Sequence, residues 1–195
     1  MWDQRYSSES YAYGTEANDF LVSTANMLPS GKALCLAEGE GRNAVWLAQQ
    51  GLDVTAVDAS EVGLRKARNL AAKRGVSITT LQADLMDFEI AKNHWDSIIS
   101  IFCHLPPTIR REVHKRCVDG LRPGGIMLLE AYTPKQLEYN TGGPQVTDMM
   151  MNQQVLTDDF EDLELLYLSE TVREIHEGEY HNGKGAVVQL LARKP

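Results

Sequence analysis

The sequence predicts an α/β fold: a Rossmann-like, doubly wound sheet, seven-stranded and mostly parallel, closed by a C-terminal antiparallel hairpin. Three observations predict it. Short apolar runs alternate with helical periodicity from Ala33 to Ala131. A glycine-rich turn joins the first run to the first helix of that series. The last third changes to two long strand-like segments around Asn182-Gly183, a hairpin turn pair.

Taken in order, residues 1–20 form an aromatic and polar arm (Trp2, Tyr6, Tyr11, Tyr13, Phe20) leading into a helix near Asn18 to Met27. Pro29-Ser30-Gly31 ends that helix. The first strand is Ala33 to Ala37, followed by a glycine loop and a helix from Asn43 to Gln50. Val54 to Val57 is the second strand, with Asp58 at its tip. Ser60 caps a helix through Arg74, and Gly75 stops it. The third strand is Ser77 to Gln82 and the fourth Asp96 to Phe102. Pro106 or Pro107 opens a helix to about Asp119, with Ile109, Val113 and Cys117 on its apolar face. Arg122-Pro123-Gly124-Gly125 turns into the fifth strand, Ile126 to Ala131. A loop-rich stretch, Thr133 to Met151, precedes a short helix over Thr157 to Glu161 and the segments Leu163 to Ile175 and Ala186 to Ala192.

A chain of 195 residues that is 43% hydrophobic suits a single domain with a sizeable core. Its net charge of −8, from 19 Lys+Arg against 27 Asp+Glu, argues against a nucleic-acid backbone as partner. No apolar run approaches the roughly 20 residues of a membrane span, and the start has no signal-peptide core. Cys35, Cys103 and Cys117 lack metal-ligand spacing and read as buried thiols, so no metal and a reducing, cytoplasmic location are expected. The expected partner is a small-molecule substrate, and nothing in the sequence specifies an oligomeric state.

The glycine loop points to a nucleoside ligand. Gly39-x-Gly41-x-x-Ala44 fits the dinucleotide pattern, and Asp58 lies roughly 20 residues on, where an acid meets ribose hydroxyls. Glu38 and Glu40 flank Gly39. A pyrophosphate placed against two carboxylates is repelled; like charges ~4 Å apart cost about 4 kcal/mol at an effective dielectric of ~20. S-adenosylmethionine has no phosphate and carries two cationic centres, which acidic residues suit. The two rival readings are an NAD(P)-dependent oxidoreductase and a non-catalytic module that binds the same donor.

The ordered set of Ala37 to Asn43, Asp58, Gln82-Ala83-Asp84-Leu85 and Leu121-Arg122-Pro123-Gly124-Gly125 resembles class I S-adenosylmethionine-dependent methyltransferases over about residues 30–195. Gly39-Glu40-Gly41-Arg42-Asn43, Arg173-Glu174-Ile175-His176 and the closing Leu-Ala-Arg-Lys resemble the tellurite-resistance and thiol (thiopurine) methyltransferase branch. The chain departs from the family where Cys35 stands for the usual acid and Ala37 for the first glycine, and from the tellurite branch where Glu177, not arginine, follows the histidine. The resemblance implies a donor site of Glu38, Gly39, Gly41, Arg42, Asp58, Ala59, Asp84, Leu85 and Phe102, with Tyr13 and the arm as a lid. It implies transfer to a small acceptor, a thiol or a chalcogen, with His176 or His104 as base. His181 reads as a bland turn neighbour, His114 and the Arg110 to Arg116 cluster as a solvated helix face.

Overall fold

The computed structural model describes residues 2–195. Its centre is a seven-stranded sheet in the order β3-β2-β1-β4-β5-β7-β6. The strands are β1 Lys32–Leu36, β2 Asp53–Asp58, β3 Thr79–Gln82, β4 Trp95–Ile101, β5 Leu121–Tyr132, β6 Glu164–Glu177 and β7 His181–Arg193. The first five run parallel, and β7 lies antiparallel between β5 and β6. The helices are α1 Trp2–Arg5, α2 Asp19–Thr24, α3 Arg42–Gln49, α4 Glu61–Lys73, α5 Pro107–Gly120 and α6 Gln153–Asp159. The predicted fold class is the observed one.

Period-2 alternation splits the central strands between two cores. Leu34, Ile98, Met127 and Leu129 pack with Val113 and Cys117 of α5 and Leu156 of α6. Ala33, Cys35, Ile99 and Leu128 pack on the other face with Phe20 and Leu21 of α2, Ala44 and Leu47 of α3 and Leu64 of α4. All three cysteines are buried and free. No helix among the described residues is long and apolar enough to cross a membrane.

Local chemistry sets several boundaries. Asn18 caps α2 by accepting from the Leu21 N–H, and Ser60 caps α4 by accepting from Gly63. The short late helix begins at Gln153, four residues before its expected start, because Asn152 caps it through the Val155 N–H. The hairpin turn also moves. Asn182 and Gly183 lie inside the ladder, opposite His176 and Ile175, and the chain turns at Gly178-Glu179-Tyr180. The reason is tertiary. Gly178 has φ +73°, and a Cβ there would stand 2.5 Å from the Gly14 nitrogen of the arm. The Glu179 N–H donates to the Ala12 carbonyl at 3.0 Å, so the arm holds the turn in place.

The basic helix face is also not free. Arg110 is 4% exposed and donates to Asp159 at 2.9 Å, and buried His114 meets the same carboxylate at 2.8 Å. Arg116 donates to the carbonyls of Leu85 and Met86. These cations tie α5 to α6 and to the loop after β3. Met150 and Met151 are buried anchors of the loop before α6.

Leu128 is fully buried in the middle of β5. Leu128→Ala is expected to lower unfolding free energy by about 3 kcal/mol in a denaturant titration, with an unchanged slope against denaturant.

Candidate active site

The carboxyl ends of β1, β2 and β4 meet beside the glycine loop, the edge where ligands of such sheets bind. The loop is tightly wound. Gly39 and Gly41 have φ of +61° and +88°, and Ala37, at the family's glycine position, is held at +49°. That conformation costs a residue with a Cβ roughly 1–2 kcal/mol. Phe102, which follows β4, is held at +53°. Two left-handed non-glycine residues thus flank this edge, the kind of stored strain that clusters at functional sites.

Asp58 ends β2 and is 6% exposed. One carboxylate oxygen accepts from the Gly39 N–H at 2.8 Å and the other from the Ser60 N–H at 2.8 Å. It therefore fixes the loop against the start of α4. Burial raises its pKa, and the two amides oppose that shift. Ala59 is exposed beside it, and its carbonyl accepts from the Gln82 side chain at 3.2 Å. Across the gap after β3, exposed Asp84 accepts from the Met86 N–H at 2.9 Å and folds the turn that presents buried Leu85.

The two loop acids have different tasks. Glu38 accepts from the Asn43 and Ala44 N–H groups at 2.9 and 2.8 Å, so its carboxylate occupies the N-terminus of α3. Burial pushes its pKa up to about 7 against the pull of those amides and of Arg42. Glu40 turns away from the ligand edge. Its carboxylate accepts from the Ala12 N–H at 2.7 Å and pairs with Lys66, whose ammonium also donates to the carbonyls of Ser8 and Ser10. The repulsion expected from two acids thus comes from Glu38 alone.

The arm lies over this edge. Asp3 accepts from the Ser60 hydroxyl at 2.5 Å. Tyr6 is 5% exposed and sits so close that a Cβ on Gly39 would stand 2.5 Å from its hydroxyl. Burial and the nearby Asp58 carboxylate raise the Tyr6 pKa and keep it protonated. Tyr6 meets Tyr13 edge-on at 6.3 Å between ring centroids, and Tyr13 meets His181 at 4.6 Å. His181 in turn packs on Phe102 at 4.7 Å and Tyr132 at 5.3 Å. A continuous aromatic wall therefore runs from the glycine loop to the ends of β4 and β5. Two hollows, of about 440 and 540 Å³, lie beside this edge rather than at it: one between the arm and α4, one between α2 and the β6–β7 face.

Behind the wall is a buried polar network. Arg42 donates to Glu177 at 2.6 Å and to the Glu16 carbonyl at 3.3 Å. The Asn18 amide donates to both Glu130 and Glu177, at 2.7 and 2.8 Å. Arg173 donates to Glu130 through two nitrogens, and Gln189 adds a fourth donor group. Arg42, expected at the donor, is instead the clamp between the glycine loop, the arm and the hairpin.

The two predicted bases are corrected. The His104 Nδ1 bonds the Phe102 carbonyl at 3.0 Å, and its Nε2 accepts from the Tyr132 N–H at 3.0 Å. Both nitrogens are committed, and burial drives its pKa down to about 3. His104 is a structural clip between β4 and β5. His176 is exposed and meets only Asn182 within the sheet, at 3.2 Å. Its neighbour Glu177 and the paired His181 face the site. The alternation Arg173, Ile175, Glu177 carried that signal: over the last stretch of β6, from 173 to 177, the inward positions are odd-numbered.

Residues 33–125 match the family described as "Methyltransferase domain". The uncharacterized methyltransferase YbaJ of Bacillus subtilis (strain 168) is 29% identical over 111 residues, covering 56% of this chain and 44% of the relative. The glycine/sarcosine N-methyltransferase of Halorhodospira halochloris is 30% identical over 135 residues, covering 66% and 47%. The chain thus spans about half the length of the curated relatives it matches. Among solved structures, TehB from Haemophilus influenzae aligns with a TM-score of 0.76 at 22% identity, over 100% of this chain and 66% of that one. A structure described as the conversion of a disulfide bond into a thioacetal group during echinomycin biosynthesis aligns at 0.79 and 19%, over 99% and 90%. These two share the fold. Residues 33–125 are thus similar to a methyltransferase domain.

The raised Glu38 pKa has a signed consequence. Its folded value lies above the unfolded one, so the protonated form is favoured by folding. That contribution is complete below about pH 4.5 and is lost as pH rises to about 7. Glu38→Gln is expected to flatten the wild-type decline in stability across that window, read as denaturation midpoints at each pH.

Proposed function

We propose that the chain is an S-adenosylmethionine-dependent methyltransferase acting on a small molecule, and that residues 1–195 work as one domain. One observation carries this reading over a dinucleotide enzyme. The helix N-terminus at which a pyrophosphate would rest already holds the Glu38 carboxylate, 2.8–2.9 Å from the Asn43 and Ala44 amides. A donor without phosphate, and with an ammonium and a sulfonium, suits such a loop.

In this reading the donor crosses the carboxyl ends of β1, β2 and β4. Gly39 and Gly41 give close backbone approach to its amino-acid portion, with Glu38 beside the ammonium. Asp58 accepts from the ribose hydroxyls, and Ala59, Asp84 and Leu85 border the adenine. Phe102 and Tyr13 bound the reacting end, and the arm from Trp2 to Gly14 closes over it as a lid. Catalysis then rests on alignment and exclusion of water. Orientation of this kind supplies about 7–11 kcal/mol in favourable cases. The acceptor class is a thiol or chalcogen nucleophile, supported by the tellurite- and thiol-branch pattern Gly39-Glu40-Gly41-Arg42-Asn43.

Calorimetric titration tests the donor directly. S-adenosylmethionine is expected to bind and NAD not to. Asp58→Ala removes the ribose acceptor, with each charge-assisted bond contributing about 1.5–3 kcal/mol, so donor affinity should fall more than tenfold. NAD binding as tight as S-adenosylmethionine, or an unaffected Asp58→Ala protein, overturns the assignment.

A further inference from the structure

We propose that His181 is the base that takes the acceptor's proton, with Glu177 positioning it, and that the acceptor is an uncharged nucleophile with a removable proton: a thiol or a hydroxyl, not an oxyanion. This rests on the methyltransferase reading above and assigns the substrate class of that same site.

Three features of the ring support it. First, His181 opens β7 directly opposite Glu177, the last residue of β6, so both side chains share the inner face of the hairpin. Its ring is walled by Phe102, Tyr13 and Tyr132, at the ends of β4, the arm and β5. Second, among the described residues its Nδ1 has no hydrogen-bond partner, and it faces the Glu177 carboxylate at 3.8 Å. An Nδ1–H aimed at that carboxylate leaves the Nε2 lone pair to accept a proton, and such contacts tighten when substrate binds. Third, the Tyr132 hydroxyl beside it is buried without a partner among the described residues. A buried unsatisfied hydroxyl calls for a ligand group. Gly142 closes over both; a Cβ there would lie 2.9 Å from the His181 ring and 3.2 Å from the Tyr132 hydroxyl.

The charges around the ring fix the acceptor class. The groups facing it are Glu177 from β6, Arg42 from α3, Arg5 from α1, and His104, Tyr13 and Tyr132, with Tyr180 packed on Tyr13. Burial holds the imidazole below its ordinary pKa, and Glu177 partly offsets this. The ring is therefore neutral at neutral pH. The two cations behind the wall are already paired with acids. Arg42 is paired with Glu177, and Arg173 with Glu130 and Glu177. Arg5 lies 4.1 Å over the Tyr180 ring and reaches the Tyr13 hydroxyl. An oxyanion stripped of water among aromatic rings lacks the partner its burial demands.

The step balances. The acceptor's lone pair attacks the donor methyl, and the new bond forms as the carbon–sulfur bond breaks. The bonding pair stays on sulfur, which becomes a neutral thioether. The acceptor's proton passes to His181 Nε2, and Glu177 faces the resulting imidazolium.

The test uses the full chain, saturating S-adenosylmethionine, and two acceptors: 2-mercaptoethanol, protonated at neutral pH, and 4-nitrothiophenol, already ionised there and carrying no carboxylate. His181→Ala and His181→Gln are expected to lower kcat for 2-mercaptoethanol by about 10²–10⁴-fold. Their kcat for the thiolate should change less than threefold, and S-adenosylhomocysteine affinity should be retained. For the wild type, kcat/KM with 2-mercaptoethanol should fall at acidic pH as His181 is protonated. That limb should vanish in His181→Gln, and added imidazole should partly restore His181→Ala. Equal loss on both acceptors, or none, overturns the base. Turnover of tellurite or the thiolate without the thiol, or donor binding with no turnover of any of these, overturns the acceptor class. Failure to bind S-adenosylmethionine at all overturns the methyltransferase reading instead. Should both variants unfold, a wild-type profile with no acidic limb for 2-mercaptoethanol still refutes the proposal.

Discussion

Arg42 and Glu177 form an ion pair at 2.6 Å with both side chains under 10% exposed, and three distant parts of the chain meet on it. Arg42 opens α3 directly after the glycine loop. Glu177 ends β6 at the tip of the hairpin. Asn18, at the end of the arm, donates to Glu177 and to fully buried Glu130. Buried charges of this kind cost free energy unless every partner is present, and removing one costs about 3–5 kcal/mol. Burial works against ionisation of Glu177, yet Arg42, His181 and Arg173 together hold its carboxyl well below the usual range. The three segments are therefore fixed together or not at all.

That constraint explains how one continuous wall forms from residues far apart in sequence. The arm is held at Glu40 by Ala12 and Lys66, at Ser60 by Asp3, and at the hairpin by the close contact of Gly14 with Gly178. With those ends fixed, Tyr6 lies on Gly39, Tyr13 on His181, and His181 on Phe102. The same contacts close the ligand edge against water. In the proposed function, entry of a donor requires the arm to lift, and its exposed ties, such as Lys66 to the carbonyls of Ser8 and Ser10, are the weak ones.

The sheet was legible because its rules are local: apolar runs with period 2, a helix capped by Ser60, a helix opened by Pro107, and an acid at the tip of β2. The glycine loop was legible for the same reason. The rest depended on contacts between distant residues. Asn182-Gly183 is a strong turn pair by itself, but Gly178 is the residue on which the arm closes, and the turn follows it. Glu40 looks like a twin of Glu38, yet only the position of Lys66 on α4 shows that it faces the arm. Choosing His176 over His181 overlooked a strand rule, since β6 turns alternate residues to opposite faces. The roles of Arg110, His114 and Arg116 were hidden because their partners lie on α6 and in the loop after β3.

The central claim is that a phosphate-free nucleoside donor binds where the glycine loop, Asp58 and the arm converge. Amide hydrogen exchange with and without S-adenosylhomocysteine measures this most directly. The account predicts added protection at residues 37–43 and 58–60, in the arm over residues 2–14, and at the hairpin tip around residues 177–181, with no such change on adding NAD. Protection confined to other regions, or an equal pattern with NAD, would contradict it.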